Sequence, residues 1–432
     1  WECSYRYYPV GYGDYLMAYL GPPPARTPVT SAQITDASVT AAKLATDSVT
    51  TVKIAAANVT TAKITDANVT AAKLAASSAL VGKNIIINGS HEVAQRSAAV
   101  TGIGAASGYT QVDMWHIIAS GTAGRVTGSQ VAGPLAATGH GNAVKIDVTT
   151  VDSSVASGDI MSLRTSVEAQ NLQQLQWGVA TAKSVTLSFW MKSPKAGTHC
   201  VSIYQEDDGR YFIREFTIAS ADTYEYFAIT FPGDTGGVID TNNGAGIRID
   251  WPLICGSGEA GSADAWTSGG KFATGNQQNL LDSTDNNVEL AGVQLELGTV
   301  ATDFEHEDFG VTYLKCKRYL PFYFDAANNS NFRFAFGAAY STSYFQCILP
   351  FLVPPRAAVT ISVDSIGNWR AETGDGTGIT VTAIATQPSV NADNFGMWST
   401  ANFQSSSGYT AKEPGFLRPN GTSGIMIASC EL

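Results

Sequence analysis

The chain has 432 residues, a length that favours two or three domains. Its hydrophobic fraction of 44% can supply folded cores and excludes a mainly disordered chain. With 26 Lys and Arg against 37 Asp and Glu, the net charge of −11 argues against a general nucleic-acid binder. No apolar run approaches the roughly 18 residues of a membrane-spanning helix, and no secretory signal is visible, so we expect no membrane insertion.

Residues 29–83 repeat with a period of ten. A lysine column runs in this phase from Lys43 to Lys83, and columns of Val and of Ile or Leu place one large apolar residue at every fifth position. A period of five fits neither the 3.6 of a helix nor the 2 of a strand. The apolar columns consist of Ile34, Val39, Leu44, Val49, Ile54, Val59, Ile64, Val69 and Leu74.

Such sparse anchors cannot bury a core within one chain. At about 25 cal/mol per Å² of buried apolar surface, one Val or Ile in five residues does not offset the entropy of ordering the rest. The array is therefore either disordered or packed against other copies, and its strict phase favours the second interpretation. Fully extended, it would reach at most roughly 180–200 Å. The lysine column is interpreted as a solvated outer face.

The repeat units resemble a known family. Asp36–Leu44 and Asp66–Leu74 are similar to shaft repeats of tailed-bacteriophage tail fibres, and Met17–Pro24 resembles the N-termini by which such fibres dock. The resemblance implies a homotrimer whose shaft core is formed by the nine apolar residues. It also implies that residues 1–28 bind a phage tail or baseplate protein.

From Asn84 to Gly310 the pattern becomes short apolar or alternating runs separated by turn residues, which is typical of a sandwich. Asp208-Gly209 is a hairpin-turn signal. The segment Glu168–Trp177 is compatible with a short helix or a loop. The predicted strands are Val144–Val148, Ser184–Met191, Val201–Tyr204, Arg210–Ile218, Tyr224–Phe231 and Gly246–Trp251.

The resemblance extends through this region. The segments Asn84–Gly89, Tyr109–Trp115, Val185–Trp190, Val293–Gly298 and Ala301–His306 resemble, in the same order, parts of a jelly-roll module in phage fibre proteins. This implies a jelly-roll β-sandwich over residues 84–310. The fold is shared with carbohydrate-binding modules, but a shared fold does not establish function.

The last region is predicted to start with a short helix at Phe309–Leu320, with Phe309, Tyr313, Cys316 and Leu320 on one side. The segments Cys316–Tyr319 and Cys430–Leu432 resemble the family's linker and last strand, which implies a C-terminal β tip domain over residues 311–432. Its predicted strands are Phe332–Tyr340, Tyr344–Leu352, Val359–Val363, Gly378–Ile384 and Ser423–Glu431.

Aromatic residues in this last region are candidates for receptor binding, because the apolar face of a sugar stacks on an aromatic ring while polar neighbours hold its hydroxyls. The candidates are Trp369, Trp398, Tyr340 and Tyr344. Each could instead belong to a core or a trimer interface, since large aromatic side chains are mostly buried.

Motifs of catalysis are not found in the sequence. His91-Glu92 lacks the second histidine of a zinc helix. The carboxylates of Glu206–Asp208 could hold calcium but fit a charged hairpin end better. A glycosidase pair drawn from Glu305, Glu307 and Asp308 would need a defined spacing that a sequence does not show. The six cysteines show no metal-binding spacing and are expected to be free, mostly buried thiols. We expect no enzyme, metal or cofactor.

The sequence thus predicts a mainly β, elongated homotrimeric fibre with a repeat shaft, a jelly-roll sandwich and a C-terminal β-sandwich tip. The expected function is that of a phage tail fibre, assembled in the host cytoplasm and carried on the virion. Its tip would bind a host surface glycan or an outer-membrane receptor. The alternatives are a glycan-cleaving tailspike and a structural neck or head fibre without receptor binding.

Overall fold

The computed structural model describes residues 82–432 except 97, 326–332, 334, 375, 377, 386–397, 406–407 and 421–423, together with residues 34, 40 and 44. The chain divides into two compact units, Trp1–Lys73 and Leu74–Leu432. Of the predicted shaft core, Ile34 is 46% and Leu44 45% exposed in the single chain. The predicted attachment segment 1–28 lies outside the described residues, as do Val39, Val49, Ile54, Val59, Ile64, Val69 and Leu74.

The second unit is mainly β and begins with a sandwich of two antiparallel sheets, called here the first sandwich. One sheet has six strands in the order β1-β4-β5-β13-β7-β10, and the other has seven in the order β12-β9-β8-β11-β6-β3-β2. The strands are β1 (Val100–Ile103), β2 (Gly108–Tyr109), β3 (His116–Ser120), β4 (Arg125–Ala132), β5 (Asn142–Thr150), β6 (Ile160–Glu168), β7 (Val185–Lys192), β8 (Gly197–Gln205), β9 (Arg210–Ile218), β10 (Glu225–Phe231), β11 (Ala245–Cys255), β12 (Thr267–Ser268) and β13 (Asn287–Leu297).

The two sheets enclose one apolar core in which Trp115, Phe189 and Trp251 are among the largest fully buried side chains. All six strands predicted for this region are present. The predicted hairpin joins β8 to β9, and Gly209 takes a φ of 62° at its turn, a conformation that glycine adopts without strain. The predicted mainly β class is therefore confirmed.

Strand β6 was missed by the sequence interpretation because all nine of its residues are buried. A strand covered on both faces shows no apolar–polar alternation, and Arg164 and Glu168 lie within it. The undecided segment after it forms two short 3-10 turns, Ala169–Asn171 and Gln173–Leu175. A single helical turn, α1 (Leu135–Thr138), follows β4.

The predicted linker helix is present as α2 (Phe309–Lys317). Its N-cap is Asp308, whose side chain accepts a hydrogen bond from the Gly310 backbone N–H. Cys316 is buried against the first sandwich, but Phe309 is 55% exposed. The rings of Phe309 and Tyr313 stack with their centroids 6.0 Å apart, so these two residues lie on the same side of the helix.

The strands from β14 onward enclose a second core, which includes Phe345, Trp369 and Phe403, and this part of the unit is called here the C-terminal domain. Its sheets have the orders β14-β23-β17 and β19-β18-β22-β15-β16-β21-β20. The strands are β14 (Phe322–Asp325), β15 (Ala335–Ala339), β16 (Tyr344–Pro350), β17 (Thr360–Val363), β18 (Trp369–Thr373), β19 (Gly378–Thr380), β20 (Ala383–Ala385), β21 (Trp398–Gln404), β22 (Pro414–Pro419) and β23 (Ile425–Ser429).

The strand predicted over Gly378–Ile384 is two strands, because β19 pairs with β18 whereas β20 pairs with β21. Cys200, Cys255, Cys316 and Cys430 are unpaired thiols, all but Cys255 buried, and Cys347 lies in the C-terminal core. Within the described part of the chain, no helix combines the length and the apolar character needed to cross a membrane.

Candidate functional site

Trp369 is a core residue rather than part of a receptor site. It begins β18 with an exposure of 0%, and its ring lies 5.9 Å from that of Phe324, centroid to centroid. Alternation along β18 places it on the inner side of the sheet together with Ala371. The prediction that Trp369 stacks on a receptor sugar is therefore wrong, because its ring is covered by the second sheet.

Trp398 begins β21 and pairs in register with Pro350 of β16. Its side chain lies outside the described residues, so its role in binding stays a prediction.

Tyr340 and Tyr344 lie together at the end of the hairpin formed by β15 and β16. The Tyr340 backbone N–H donates to the Tyr344 carbonyl at 2.8 Å, which closes the turn. Tyr340 is 78% exposed and Tyr344 is half-buried. The structure thus brings two of the four predicted aromatic residues into one place, and leaves one ring almost fully open to solvent.

The turn that carries Tyr340 is braced by neighbouring segments. The Ser405 N–H donates to the Ser343 carbonyl at 2.9 Å, and the Tyr409 N–H donates to the Thr342 carbonyl at 3.1 Å. Ser341 and Ser343 follow Tyr340 in the same turn, and the Ser343 N–H donates to the Ser341 hydroxyl oxygen at 3.3 Å. An exposed ring beside fixed hydroxyl groups can stack on a pyranose and hydrogen-bond to its edge.

A second feature of this domain is an exposed apolar patch on the outer face of its large sheet, defined by Phe336, Ile348 and Phe416. These side chains are 59%, 48% and 38% exposed. Phe336 and Phe416 pair in register on β15 and β22, with ring centroids 5.5 Å apart in an edge-to-face arrangement. We call this set the outer patch.

The sequence interpretation missed the outer patch, although β15 contains a signal for it. Its inward positions Ala335, Gly337 and Ala339 are small, whereas its outward position Phe336 is large. In an ordinary half-buried strand, the large apolar residue faces the core. The inverted pattern therefore marks a strand whose outer face is apolar.

Beside the outer patch, an ion-pair network ties β18 to β22. Glu372 accepts a hydrogen bond from Arg333 Nε at 3.1 Å, and it is also paired with Arg418. The hydrogen bonds from Arg333 and Arg418 lower the pKa of the Glu372 carboxyl. These arginines are therefore committed to an intramolecular pair.

The first sandwich and the C-terminal domain are joined by a buried polar contact. The side chain of Glu168 is fully buried, and its carboxylate accepts hydrogen bonds from Arg318 at 2.6 and 3.0 Å and from the Tyr319 hydroxyl at 2.8 Å. Gln170 donates a fourth hydrogen bond at 2.7 Å, so that each oxygen of the Glu168 carboxylate accepts two. Such a bidentate pair with a third donor fixes orientation as well as distance.

The chain end forms a second part of this joint. Arg96 is 2.6 Å from Glu431, and the Tyr109 hydroxyl donates to the Leu432 carbonyl at 2.7 Å. Arg356 donates to the Cys430 carbonyl at 2.9 Å. Burial raises the pKa of the Glu431 carboxyl. The last three residues are therefore held against the first sandwich by side chains from both domains.

The carboxylates considered for catalysis or calcium binding are engaged in structural hydrogen bonds. Glu305 accepts from the Asn84 N–H at 2.7 Å, and Glu307 accepts from the Thr312 hydroxyl at 3.0 Å. Asp207 and Asp208 accept backbone N–H groups at 2.9 and 2.6 Å. Among the residues that the structure describes, no group of three His, Cys, Asp or Glu side chains is placed to hold a metal.

His91 and His140 are buried in the first sandwich as neutral rings. His91 packs against Trp115 with ring centroids 4.6 Å apart. Burial, with a smaller contribution from His140, lowers the pKa of His91 to about 3. Burial likewise lowers the pKa of His140 to about 4. These rings belong to the packing of the sandwich and make its stability sensitive to acid.

No family model and no curated protein matches the sequence. Solved structures similar to this chain include the enzymatically active domain of tailspike protein 4 of bacteriophage CBA120, at 13% identity and a TM-score of 0.25, covering 50% of this chain and 22% of that one. This chain thus spans about a fifth of the tailspike chain that it matches.

Two further similar structures are carbohydrate-binding modules. A family 11 module from Clostridium thermocellum, in complex with a mixed-linked tetrasaccharide, has 16% identity and a TM-score of 0.25, covering 45% of this chain and 91% of that one. Tandem family 22 modules from Paenibacillus barcinonensis have 10% identity and a TM-score of 0.24, covering 73% and 93%. At these TM-scores the likenesses do not decide a function, which is inferred below from this chain's own residues.

Proposed function

We propose that this chain is the subunit of a homotrimeric phage tail fibre that binds a host-surface glycan through its C-terminal domain. Residues 1–28 would attach to a tail or baseplate protein, and residues 29–83 would form the trimeric shaft. The protein would be assembled in the host cytoplasm, carried on the virion, and act by binding alone.

The observation that carries the binding proposal is the exposed ring of Tyr340. A tyrosine ring that is 78% exposed on a braced turn contributes little to the stability of the fold. The backbone of a turn braced in this way loses little conformational freedom on binding, which favours contact with a rigid ligand. Tyr344 and the hydroxyl groups of Ser341 and Ser343 add polar groups within the same turn.

The shaft repeat supports the oligomeric part of the proposal. One apolar residue in five positions calls for other chains to bury it. A trimer would present three copies of the Tyr340 turn, so that three weak sites combine into tight attachment without any strong single site.

The test is the binding of purified full chain to host cells and to their extracted surface polysaccharide, comparing wild type with Tyr340→Ala. A stacked ring contributes about 1 kcal/mol, and three linked sites multiply the loss, so we expect affinity to fall at least about tenfold. Tyr226→Ala is the matched control, because Tyr226 is an exposed ring of the first sandwich. Unchanged binding of Tyr340→Ala would contradict the proposed site.

The same samples separate this function from the two alternatives. New reducing ends in the polysaccharide after incubation would indicate a cleaving tailspike. Failure of the wild-type chain to bind host cells or to compete with phage adsorption would indicate a structural fibre without a receptor. We expect binding without cleavage.

A further inference from the structure

The outer patch differs in chemistry from the Tyr340 turn. The side chains of Phe336, Ile348 and Phe416 offer no hydrogen-bond donor or acceptor. A sugar buried against them would lose the hydration of its hydroxyl groups without replacement, which is costly. An apolar protein surface has no such hydroxyl groups to desolvate, so the outer patch is better suited to it than to a sugar.

The outer patch has about half the area that each partner buries in a standard protein interface. At roughly 200 Å² for a whole aromatic side chain, the exposed fractions of Phe336 and Phe416 leave about 200 Å² of ring surface open. With Ile348 and the exposed Pro350 and Pro414 beside them, the area is on the order of 400 Å². A standard interface buries about 800 Å² on each partner, so the patch could form the apolar centre of one.

The ten-residue repeat also indicates which partner would cover the outer patch. The ten-residue repeat calls for identical chains packed side by side in one register, and every chain brings its own copy of the outer patch. Tethered copies meet at effective concentrations of the order of millimolar. The net charge of −11 opposes association of free copies, whereas the outer patch itself has no charged side chain.

We propose that the outer patch packs against the C-terminal domain of a neighbouring copy of this chain and forms a second oligomer interface. This rests on the homotrimer of the proposed function and names the surface that completes it. Tyr340 follows the end of β15, four residues beyond Phe336, which is roughly 13 Å along an extended strand.

Hydroxyl-radical footprinting of the purified full chain tests the interface without any substitution. Labelling of Phe336 and Phe416 is compared with that of Tyr226, each relative to the same residue in urea-unfolded chain. In the single chain Phe336 is more exposed than Tyr226, at 59% against 47%. We expect Phe336 to be protected several-fold more than Tyr226, and Phe416 to be protected well beyond what its 38% exposure in the single chain accounts for, since only other copies are present to cover them.

Sedimentation of the same sample distinguishes the two proposals. A trimer whose Phe336 and Phe416 label as freely as Tyr226 would overturn the second interface and leave the proposed fibre in place. A monomer at micromolar concentration would overturn both. A trimer with protected Phe336 and Phe416 supports the interface.

A variant sharpens the result. Phe336→Glu places a charge in the patch, so Phe416 should label at the rate of an exposed ring while the shaft still holds the trimer. Val151→Glu is the matched control, since Val151 is an exposed apolar residue of the first sandwich, and it should leave Phe416 protected. Protection of Phe416 that survives Phe336→Glu in a folded trimer would contradict the interface.

Discussion

The two folded regions of the second unit place their large apolar side chains differently. In the first sandwich Trp115, Phe189 and Trp251 lie between the sheets, and the core is closed within one chain. In the C-terminal domain, Phe336 and Phe416 face outward. The first arrangement is that of a self-sufficient domain, whereas the second leaves apolar surface for contact with another molecule.

The largest expected effect is the loss of unfolding free energy that a core substitution causes in the first sandwich. Trp251→Ala removes a side chain that is 1% exposed and should cost about 3–5 kcal/mol of unfolding free energy. Its control, Tyr226→Ala, removes an exposed cross-strand partner of Trp190 and should cost less than about 1 kcal/mol. Denaturant unfolding followed by circular dichroism measures both. Equal losses would show that the sandwich core is not the source of its stability.

Lowering the pH should reduce the unfolding free energy of the first sandwich more than that of the C-terminal domain, although by less than the core substitution does. All five histidines lie between residues 91 and 306, and none in the C-terminal domain. His91 has an ordinary pKa of 6.5 when unfolded and about 3 when folded, so the unfolded state binds the proton more readily. Stability is therefore lost as the pH falls below 6.5, by about 1.4 kcal/mol per pH unit for this ring.

The C-terminal domain should respond at lower pH. Hydrogen bonds from Arg333 and Arg418 lower the pKa of Glu372, so its contribution is lost only below the ordinary value of 4.5. Urea unfolding at pH 7 and pH 5 should thus show a weakened first sandwich beside a little-changed C-terminal domain. In His91→Asn, which suits the positive φ of this position, the unfolding free energy of the first sandwich should fall less per pH unit. An unaltered dependence of the unfolding free energy on pH would contradict the assignment of this acid sensitivity to His91.

The alternation of buried and exposed residues along a strand explains only part of the sequence prediction, because β4 also alternates and is not among the predicted strands. Arg210–Ile218 was predicted at its observed bounds, because buried and exposed residues alternate in the second half of that strand. Strand β6 was not predicted, since a strand that is buried on both faces shows no alternation of apolar and polar residues. The joint at Glu168 and Arg318 could not be predicted either, because 150 residues separate its two partners in the chain.

The site was predictable only in part. Tyr340 and Tyr344 were selected by their chemistry, and the structure places them in one turn. Trp369 was selected for the same reason but is buried, because its position in β18 could not be assigned to an inner or outer face beforehand. The outer patch becomes visible only when the register of β15 and β22 brings Phe336 beside Phe416.

The central claim is that this chain completes its apolar surfaces with copies of itself. The most direct measurement is the mass of the purified full chain in solution at micromolar concentration, by sedimentation equilibrium. One chain has a mass of 45.5 kDa, and a stable trimer of three times that mass is the predicted result. A single species of 45.5 kDa would contradict the claim.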